Sequence, residues 1–180
     1  MNFKIYTDGS CLGNPVAGGW AAVIVDGNNH RAEICGGEEH TTNNRMELTA
    51  AIKALEKISS GDRAEIFTDS SYLKNAFTNG WLVKWKRNGW NNGRVLNQDL
   101  WLKLDELVTT RGVNFNWVKG HAGNSLNERC DLLARTAAEK FKHNRQRNSA
   151  LNNPPKKINQ KPHIEQSKES LKPVQLSLFE

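Results

Sequence analysis

The stretch Phe3-Lys4-Ile5-Tyr6-Thr7-Asp8 decides the fold, because its pattern returns at Ala64-Glu65-Ile66-Phe67-Thr68-Asp69. Each run is rich in β-branched and aromatic residues, which predicts a strand, and each closes on Thr-Asp. Sites in open α/β sheets lie beyond the carboxyl ends of the strands. If the two strands are neighbours, we therefore expect Asp8 and Asp69 to lie close together at one edge of the sheet.

The remaining elements follow from turn residues and from the spacing of apolar side chains. Asp26-Gly27-Asn28-Asn29 is typical of a turn between two strands, and apolar residues at helical spacing predict helices. The predicted strands cover residues 3–7, 19–25, 31–35, 64–68 and 113–118, and the predicted helices cover 43–58, 70–78, 97–110 and 126–141. This order, βββαβααβα, predicts an α/β fold with a mixed sheet flanked by helices.

The composition excludes several classes of protein. Of the 180 residues, 37% are hydrophobic and 24% are charged, which is typical of a globular protein. No apolar run approaches the roughly 18 residues of a membrane span, and the first residues do not resemble a secretory signal. Three widely spaced cysteines favour reduced thiols in a cytoplasmic protein. The net charge of +6 favours an acidic partner such as nucleic acid.

The composition changes near residue 143, which divides the chain into a predicted folded domain, 1–142, and a tail, 143–180. The tail holds seven Lys and Arg against three Asp and Glu, and Phe179 is its one aromatic residue. A segment so poor in apolar side chains does not bury enough surface to offset the entropy of ordering it. We therefore predict that the tail is disordered.

Two further carboxylates are expected near Asp8 and Asp69. Glu47 falls in the first turn of the helix 43–58, and Asp131 follows core-facing Cys130 in the last helix. Taken singly, each acidic residue also suits a turn, a helix terminus or a solvated surface. Four converging carboxylates would repel one another, and a divalent cation relieves that repulsion. Oxygen ligands without Cys or clustered His favour Mg²⁺ or Mn²⁺ over zinc.

Five segments in order, residues 7–15, 41–48, 68–70, 117–123 and 127–131, resemble the bacterial type I ribonuclease H family. The resemblance covers nearly all of residues 1 to 142 and implies a five-stranded mixed sheet with the first strand in the centre. It implies a two-metal endonuclease that cuts the RNA strand of RNA–DNA hybrids, leaves 3′-hydroxyl and 5′-phosphate ends, and removes RNA primers and R-loops in replication. It assigns metal binding, with one or two Mg²⁺ ions, to four residues: Asp8, Glu47, Asp69 and Asp131.

The same resemblance assigns an assisting catalytic role to His121, which lies in the Gly-flanked loop 119–123. A mobile imidazole that titrates near neutral pH can move a proton or help the product leave. A loop histidine without any role in the reaction is the alternative.

Small polar loops suit contacts with the sugars and phosphates of a hybrid, whose 2′-hydroxyl distinguishes RNA from DNA. By resemblance, Asn14, Thr42, Asn43 and Asn44 contact the hybrid strands. Asn43 also suits the cap of the helix that follows it, and both roles are compatible.

Residues 81–94 interleave basic residues with three Trp and resemble the basic protrusion of the family. The Trp rings are expected to pack a small helix on the body while Lys and Arg face phosphates. The predicted substrate-binding residues here are Lys84, Trp85, Lys86, Arg87 and Trp90. The sequence departs from the family after Trp90, where Asn91-Asn92-Gly93 replaces several lysines, and at Ser71, where many relatives carry Gln. The first departure predicts either a weaker hold on the hybrid or a hold that depends on the basic tail. The second leaves one expected contact with a strand without its usual side chain.

The last residues of the tail alternate apolar and polar side chains. The run Gln175-Leu176-Ser177-Leu178-Phe179 resembles the pentapeptide that binds the bacterial sliding clamp. Gln175, Leu176, Leu178 and Phe179 are therefore predicted to bind a clamp as an extended peptide, with a chance match or a tail that folds back as the alternatives.

Two other functions remain open from the sequence. A module that binds hybrids without cutting them would be favoured by the loss of a carboxylate, but all four are present. A resolvase or transposase core would lack the Asn-rich loops and would usually carry other domains. A monomer is expected.

Overall fold

The computed structural model describes residues 1–13 and 16–152, which form one five-stranded sheet with helices packed on it. The strands are β1 (Asn2–Cys11), β2 (Val16–Val25), β3 (Arg31–Thr41), β4 (Arg63–Thr68) and β5 (Gly112–Trp117). The helices are α1 (Asn43–Leu55), α2 (Ser71–Thr78), α3 (Trp81–Arg87), α4 (Gly89–Gly93), α5 (Gln98–Thr110) and α6 (Ser125–Asn152).

The strand order is β3-β2-β1-β4-β5, so β1 is central. β2 is antiparallel to both β1 and β3, whereas β4 runs parallel to β1 and β5 runs parallel to β4. The predicted α/β fold with a mixed sheet is therefore confirmed. Because β1 and β4 are parallel neighbours, their carboxyl ends lie at the same edge of the sheet.

The first three strands form a meander whose second turn was predicted. The side chain of Asp26 accepts hydrogen bonds from the backbone N–H groups of Asn28 and His30, both at 2.8 Å. β3 continues to Thr41, beyond the predicted end at residue 35, although Gly36 and Gly37 weaken a strand. Its pairing with β2 continues through Gly19↔Gly37, so tertiary pairing outweighs local preference here.

One face of the sheet carries the main core. The apolar residues that predicted α1, namely Leu48, Ala51, Ile52 and Leu55, are all buried. They pack with Ile5, Ile66, Trp101 and Leu104 from the sheet and α5. α6 lies on the opposite face, since adjacent residues of β2 meet different helices: Gly18 faces Met46 of α1 and Gly19 faces Ala134 of α6.

The segment between β4 and α5 holds two short helices that the predicted order lacks, although α3 matches the small helix expected in the protrusion. α4 is a left-handed turn, with φ of 57°, 53° and 56° at Trp90, Asn91 and Asn92. Asn tolerates this conformation better than most residues, and the flanking Gly89 and Gly93 adopt it freely. A search for right-handed helical spacing cannot find such a turn.

α6 continues to Asn152, ten residues past the predicted domain boundary at 142. The prediction that disorder begins at residue 143 is therefore wrong for residues 143–152. None of these residues is Gly or Pro, and Arg, Gln, Ala and Leu among them favour a helix. The rest of the predicted tail lies outside the described residues, and the domain boundary stays a prediction. No helix of the described chain is long and apolar enough to cross a membrane.

Candidate metal-binding active site

Three elements bring carboxylates to the shared edge of β1 and β4. Asp8 lies on β1, Asp69 directly follows β4, and Glu47 lies on α1. Glu47 sits just past the first turn, which holds no acidic residue, rather than inside it as predicted. A Cβ at Gly9 would stand 2.3 Å from the backbone N of Glu47, so only glycine lets β1 pass this close to α1. That close approach sets Glu47 beside Asp8.

The three carboxylates form a compact cluster. One oxygen from each of Asp8, Glu47 and Asp69 lies within 4.8 Å of the others. The side chains of Asp8 and Glu47 are buried, at 6% and 5% exposure, and Asp69 is half-buried. Like charges this close and this poorly hydrated are costly unless they are neutralised.

Burial and mutual repulsion change the proton affinity of the cluster. Burial, followed by the charges of Asp69 and Asp131, raises the pKa of Asp8 to about 8, although a hydrogen bond from the Gly9 N–H opposes the shift. Burial, followed by the charges of Asp8 and Asp69, also raises the pKa of Glu47 well above its usual value. The cluster therefore retains protons that a cation would displace.

The hydrogen bonds of the cluster leave an acceptor free. Oδ1 of Asp8 accepts from the Gly9 N–H at 2.8 Å, and Oε1 of Glu47 accepts from the side-chain amide of Asn43 at 3.4 Å. Oε2 of Glu47 is buried without a partner among the described residues. Buried acceptors normally have partners, so a carboxylate-only cluster with an open acceptor fits a hard divalent cation.

Asp131, the fourth predicted carboxylate, lies near the cluster but outside its tightest group. Its charge raises the pKa of Asp8, so the two residues are neighbours. Its side chain is 27% exposed, and its Oδ2 lies 3.8 Å from Nη1 of Arg135, one turn along α6.

Asp69 meets the loop that carries His121. Nε1 of Trp117 donates to the backbone O of Asp69 at 3.2 Å, and a Cβ at Gly120 would stand 2.6 Å from Oδ2 of Asp69. His121 follows Gly120, is exposed, and has a φ of 52°. His121 is thus the neighbour in sequence of the glycine that contacts Asp69, on a loop exposed to solvent. The sequence did not point to Gly9 or Gly120 because their effect depends on contacts between distant segments.

Comparison with known proteins assigns the architecture to a family. The sequence model of the RNase H family matches residues 1–139. The chain belongs to the ribonuclease H family. It is 50% identical over 137 residues to the ribonuclease H of Syntrophus aciditrophicus. The aligned residues make up 74% of this chain and 79% of the relative. A second ribonuclease H, from Pseudoalteromonas atlantica, is 50% identical over 140 residues, which is 76% of this chain and 90% of that one.

A solved structure supports the same placement. LC9-RNase H1, described as a type 1 RNase H with the type 2 active-site motif, superposes with a TM-score of 0.69 at 32% identity. The match covers 78% of this chain and 73% of the other. The chain is accordingly an endoribonuclease of the ribonuclease H type, which acts on RNA–DNA hybrids, as the resemblance implied.

The predicted hybrid-binding residues 42–44 lie next to the carboxylates, since the side chain of Asn43 contacts Glu47. Thr42, and not Asn43, caps α1, because its hydroxyl accepts from the backbone N–H of Arg45 at 3.4 Å. The Asn43 amide turns to Glu47 instead, and Asn44 is exposed. Residues 42–44 line a cavity of about 300 Å³ together with Leu96 and Asn97. Asn14 lies outside the described residues.

Two residues of this region were missed by the sequence reasoning. Arg45 forms a paired hydrogen bond with Asp99, at 3.2 and 3.0 Å, and its Nη1 also donates to Oδ1 of Asn97 at 3.4 Å. This contact joins α1 to the start of α5, next to Asn97 of the cavity lining. Only the long separation in sequence conceals it, since both partners lie in segments with clear helical patterns.

The protrusion of a ribonuclease H was predicted at residues 81–94, and we call α3 and α4 the basic protrusion. Trp85 packs between Trp81 and Trp101, with ring centroids 6.0 and 5.5 Å apart. Lys84 and Arg87 are exposed, and Lys86 forms an ion pair with Asp105 of α5. Trp90 is buried in the core and packs the protrusion onto the body, as the sequence also allowed. Its predicted contact with the hybrid stays a prediction.

The predicted clamp-binding residues, Gln175, Leu176, Leu178 and Phe179, lie outside the described residues.

Proposed function

We propose that this ribonuclease H cuts the RNA strand of hybrids with two divalent cations, of which Mg²⁺ is the expected one and Mn²⁺ the alternative. The observation that carries the proposal is the cluster of Asp8, Glu47 and Asp69, whose oxygens lie within 4.8 Å of one another. Hard oxygen donors without nitrogen or sulfur ligands fit Mg²⁺ and Mn²⁺. Asp131 completes the proposed ligand set.

The four carboxylates would hold the cations and orient the scissile phosphate between them. When bound, the cations supply charge that activates water and stabilises the leaving oxygen, which leaves 3′-hydroxyl and 5′-phosphate ends. The raised pKa of Asp8 means that its proton must leave before the carboxylate binds a cation at neutral pH. His121, exposed on the loop that follows Gly120, would take up or deliver a proton as the product leaves.

Two surfaces would hold the hybrid. The cavity lined by Thr42, Asn43 and Asn44 offers hydroxyl and amide groups next to the carboxylates, which suits a sugar-phosphate segment. Asn14 is proposed to act with it. Lys84, Lys86 and Arg87 of the basic protrusion would attract the phosphates of a strand, and Lys84 lines a cavity of about 420 Å³ together with Trp81, Trp85, Asn88 and Asn91.

A substrate panel tests the proposal. One labelled RNA strand is incubated alone, paired to RNA, or paired to DNA, with and without Mg²⁺. We expect cleavage of the hybrid only, and only with the cation. Binding without cleavage would favour a hybrid-binding module, and equal cleavage of all three substrates would mean that residues 42–44 do not select the hybrid.

We also propose that Gln175, Leu176, Leu178 and Phe179 bind the DNA sliding clamp and bring the enzyme to RNA primers and R-loops. Apolar residues alternate there within an otherwise polar stretch, as in peptides that dock in extended form. The test is a pull-down of purified clamp by the full chain and by a double variant, Leu176→Ala and Phe179→Ala. Equal capture by both proteins would refute this role, and the cleavage activity of the variant should match that of the wild type.

We also propose a cellular compartment and an oligomeric state for the protein. All three cysteines are free thiols, which suits a reducing compartment, and we expect a cytoplasmic monomer. A single mass in solution equal to one chain would support the second expectation, and a larger mass would contradict it.

A further inference from the structure

A buried amide outside the predicted site residues contacts the acidic cluster. Asn127 is the third residue of α6, and its side chain is 2% exposed. Its Nδ2 donates to Oδ2 of Asp69 at 3.4 Å. Asn127 stands one helical turn before Asp131, so both residues lie on the face of α6 that meets the cluster.

The start of α6 does not need this side-chain contact. The side chain of Asn124 accepts from the backbone N–H of Asn127 at 3.2 Å, and its backbone O accepts from Glu128 at 2.9 Å. Oε1 of Glu128 in turn accepts from the Gly123 N–H at 3.0 Å. These bonds satisfy the first turn of the helix through the backbone of Asn127, which leaves its side chain free for another role.

The amide of Asn127 is a poor choice for packing alone. Its Oδ1 is buried and has no hydrogen-bond partner among the described residues. An orphaned buried acceptor lowers stability, whereas an apolar side chain of the same size would carry no such cost. The opposite orientation of the amide would set Oδ1 against the Asp69 carboxylate. Stability therefore does not explain an amide here, and the donor to Asp69 does.

A second contact, with Gly120, also limits where the Asp69 carboxylate can lie. Oδ2 of Asp69 packs against Gly120 so closely that a Cβ there would stand 2.6 Å away, and Trp117 holds the Asp69 backbone. Asp69 follows the last residue of β4, so no strand pairing fixes it directly. Asn127 and Gly120 together limit the positions that this carboxylate can take.

We propose that Asn127 is a positioning residue that fixes the Asp69 carboxylate for cation binding. The inference rests on the proposed function, because it assumes that Asp69 is a ligand. A partner that orients a ligand raises affinity for the cation without touching it. Removing such a partner typically weakens metal binding by about 10-fold or more.

The test compares Asn127→Leu, which keeps the size but removes the amide, with Asn124→Ala, which removes the cap of α6 but not the contact. Calorimetry on protein without nucleic acid gives the Mg²⁺ dissociation constant, and melting in EDTA gives stability. We expect Asn127→Leu to bind Mg²⁺ about 10-fold more weakly while melting at or above the wild-type temperature. Asn124→Ala should melt lower and bind Mg²⁺ as the wild type does.

Wild-type Mg²⁺ affinity in Asn127→Leu would overturn the proposal, and so would weak binding that Asn124→Ala shares to the same extent. Asn127→Ala, which cannot overpack the site, should repeat the result and replaces the Leu variant if that protein does not fold. The variant Asp69→Asn distinguishes failure of the positioning role from failure of the proposed metal site. If Asp69→Asn abolishes Mg²⁺ binding while Asn127→Leu binds Mg²⁺ as tightly as the wild type, the positioning role fails alone. If Asp69→Asn also binds Mg²⁺ as the wild type does, the proposed metal site fails with it.

Discussion

The acidic cluster and the basic protrusion carry opposite charges toward the same proposed substrate, but the protein holds these charges in different ways. Asp8 and Glu47 are almost fully buried on elements of the central sheet and core. Lys84 and Arg87 are exposed on a short helix that is anchored through Trp side chains. A buried charge is strongly coupled to its neighbours, whereas water screens an exposed one. The loss of one cluster residue should therefore be far more severe than the loss of one protrusion residue.

The largest effect is expected at the cluster. Asp8→Asn keeps the size of the side chain but removes a charge that holds the cations, so the cleavage rate should fall at least about 1,000-fold, or about 4 kcal/mol of barrier. Hybrid binding should persist in the variant, because the loops and the protrusion remain. Glu65→Gln, an exposed carboxylate on β4, is the matched control and should keep wild-type cleavage. Retained cleavage in Asp8→Asn would show that this carboxylate is not essential.

Backbone packing at the cluster should matter next. Gly120→Ala introduces a Cβ 2.6 Å from Oδ2 of Asp69, so the carboxylate or the loop must shift. A displacement of about 1 Å in a catalytic group can cost about 100-fold in rate, and we expect a loss of about 10- to 100-fold in kcat. Gly112→Ala is the control, because its Cβ would meet only the flexible side chain of Arg63, at 3.1 Å. Equal values of kcat for both variants would mean that the close contact of Gly120 with Asp69 does not affect catalysis.

The free energy of unfolding should depend on pH, because a buried carboxylate destabilises the metal-free protein when it ionises. The pKa of Asp8 is about 8 in the folded protein, above the value of about 3.8 in the unfolded chain. The folded state therefore binds more protons between these values, and the metal-free protein loses stability as pH rises from about 4 to about 8. Asp8→Asn cannot ionise, so melting in EDTA should show a gain of a few degrees over the wild type at pH 8 and little gain at pH 4. A constant difference in melting temperature between the two proteins from pH 4 to pH 8 would contradict the raised pKa of Asp8.

The smallest effect is expected at the protrusion. Lys84→Ala removes one exposed charge and should raise KM about 3-fold, lower the salt dependence of binding by about one phosphate contact, and leave kcat unchanged. Lys86→Ala should change KM less, since Lys86 is already paired with Asp105. Lys53→Ala, on α1 and paired with Glu56, is the control for a general charge effect. A fall in kcat for Lys84→Ala would mean that the protrusion acts in catalysis as well as in binding.

The sequence predicted those parts of the molecule that depend on local pattern. Alternation and helical spacing located all five strands and the main helices, and the repeated Thr-Asp ending brought Asp8 and Asp69 to one edge. Glu47 was also predicted near them, but the reason it fits is Gly9, whose missing side chain lets α1 approach β1. Such a contact between residues distant in sequence leaves no periodic pattern.

Two of the contacts that the sequence did not predict were missed for the same reason. The bond of Arg45 to Asp99 and the contact of Asn127 with Asp69 both join separate elements, so neither is visible in a single segment. The left-handed turn at Trp90 to Asn92 and the extension of α6 to Asn152 are different, because they are local. The low apolar content of residues 143–152 was interpreted as a lack of structure, although polar residues can form a helix. The turn was missed because a left-handed backbone leaves no helical spacing of apolar residues in the sequence.

The most direct test of the central claim is anomalous diffraction from crystals soaked in Mn²⁺. The account predicts an anomalous peak bounded by the carboxylates of Asp8, Glu47 and Asp69, and its loss in Asp8→Asn crystals. Well-ordered crystals of the wild type with no peak at these three side chains, at a Mn²⁺ concentration that supports cleavage, would contradict it.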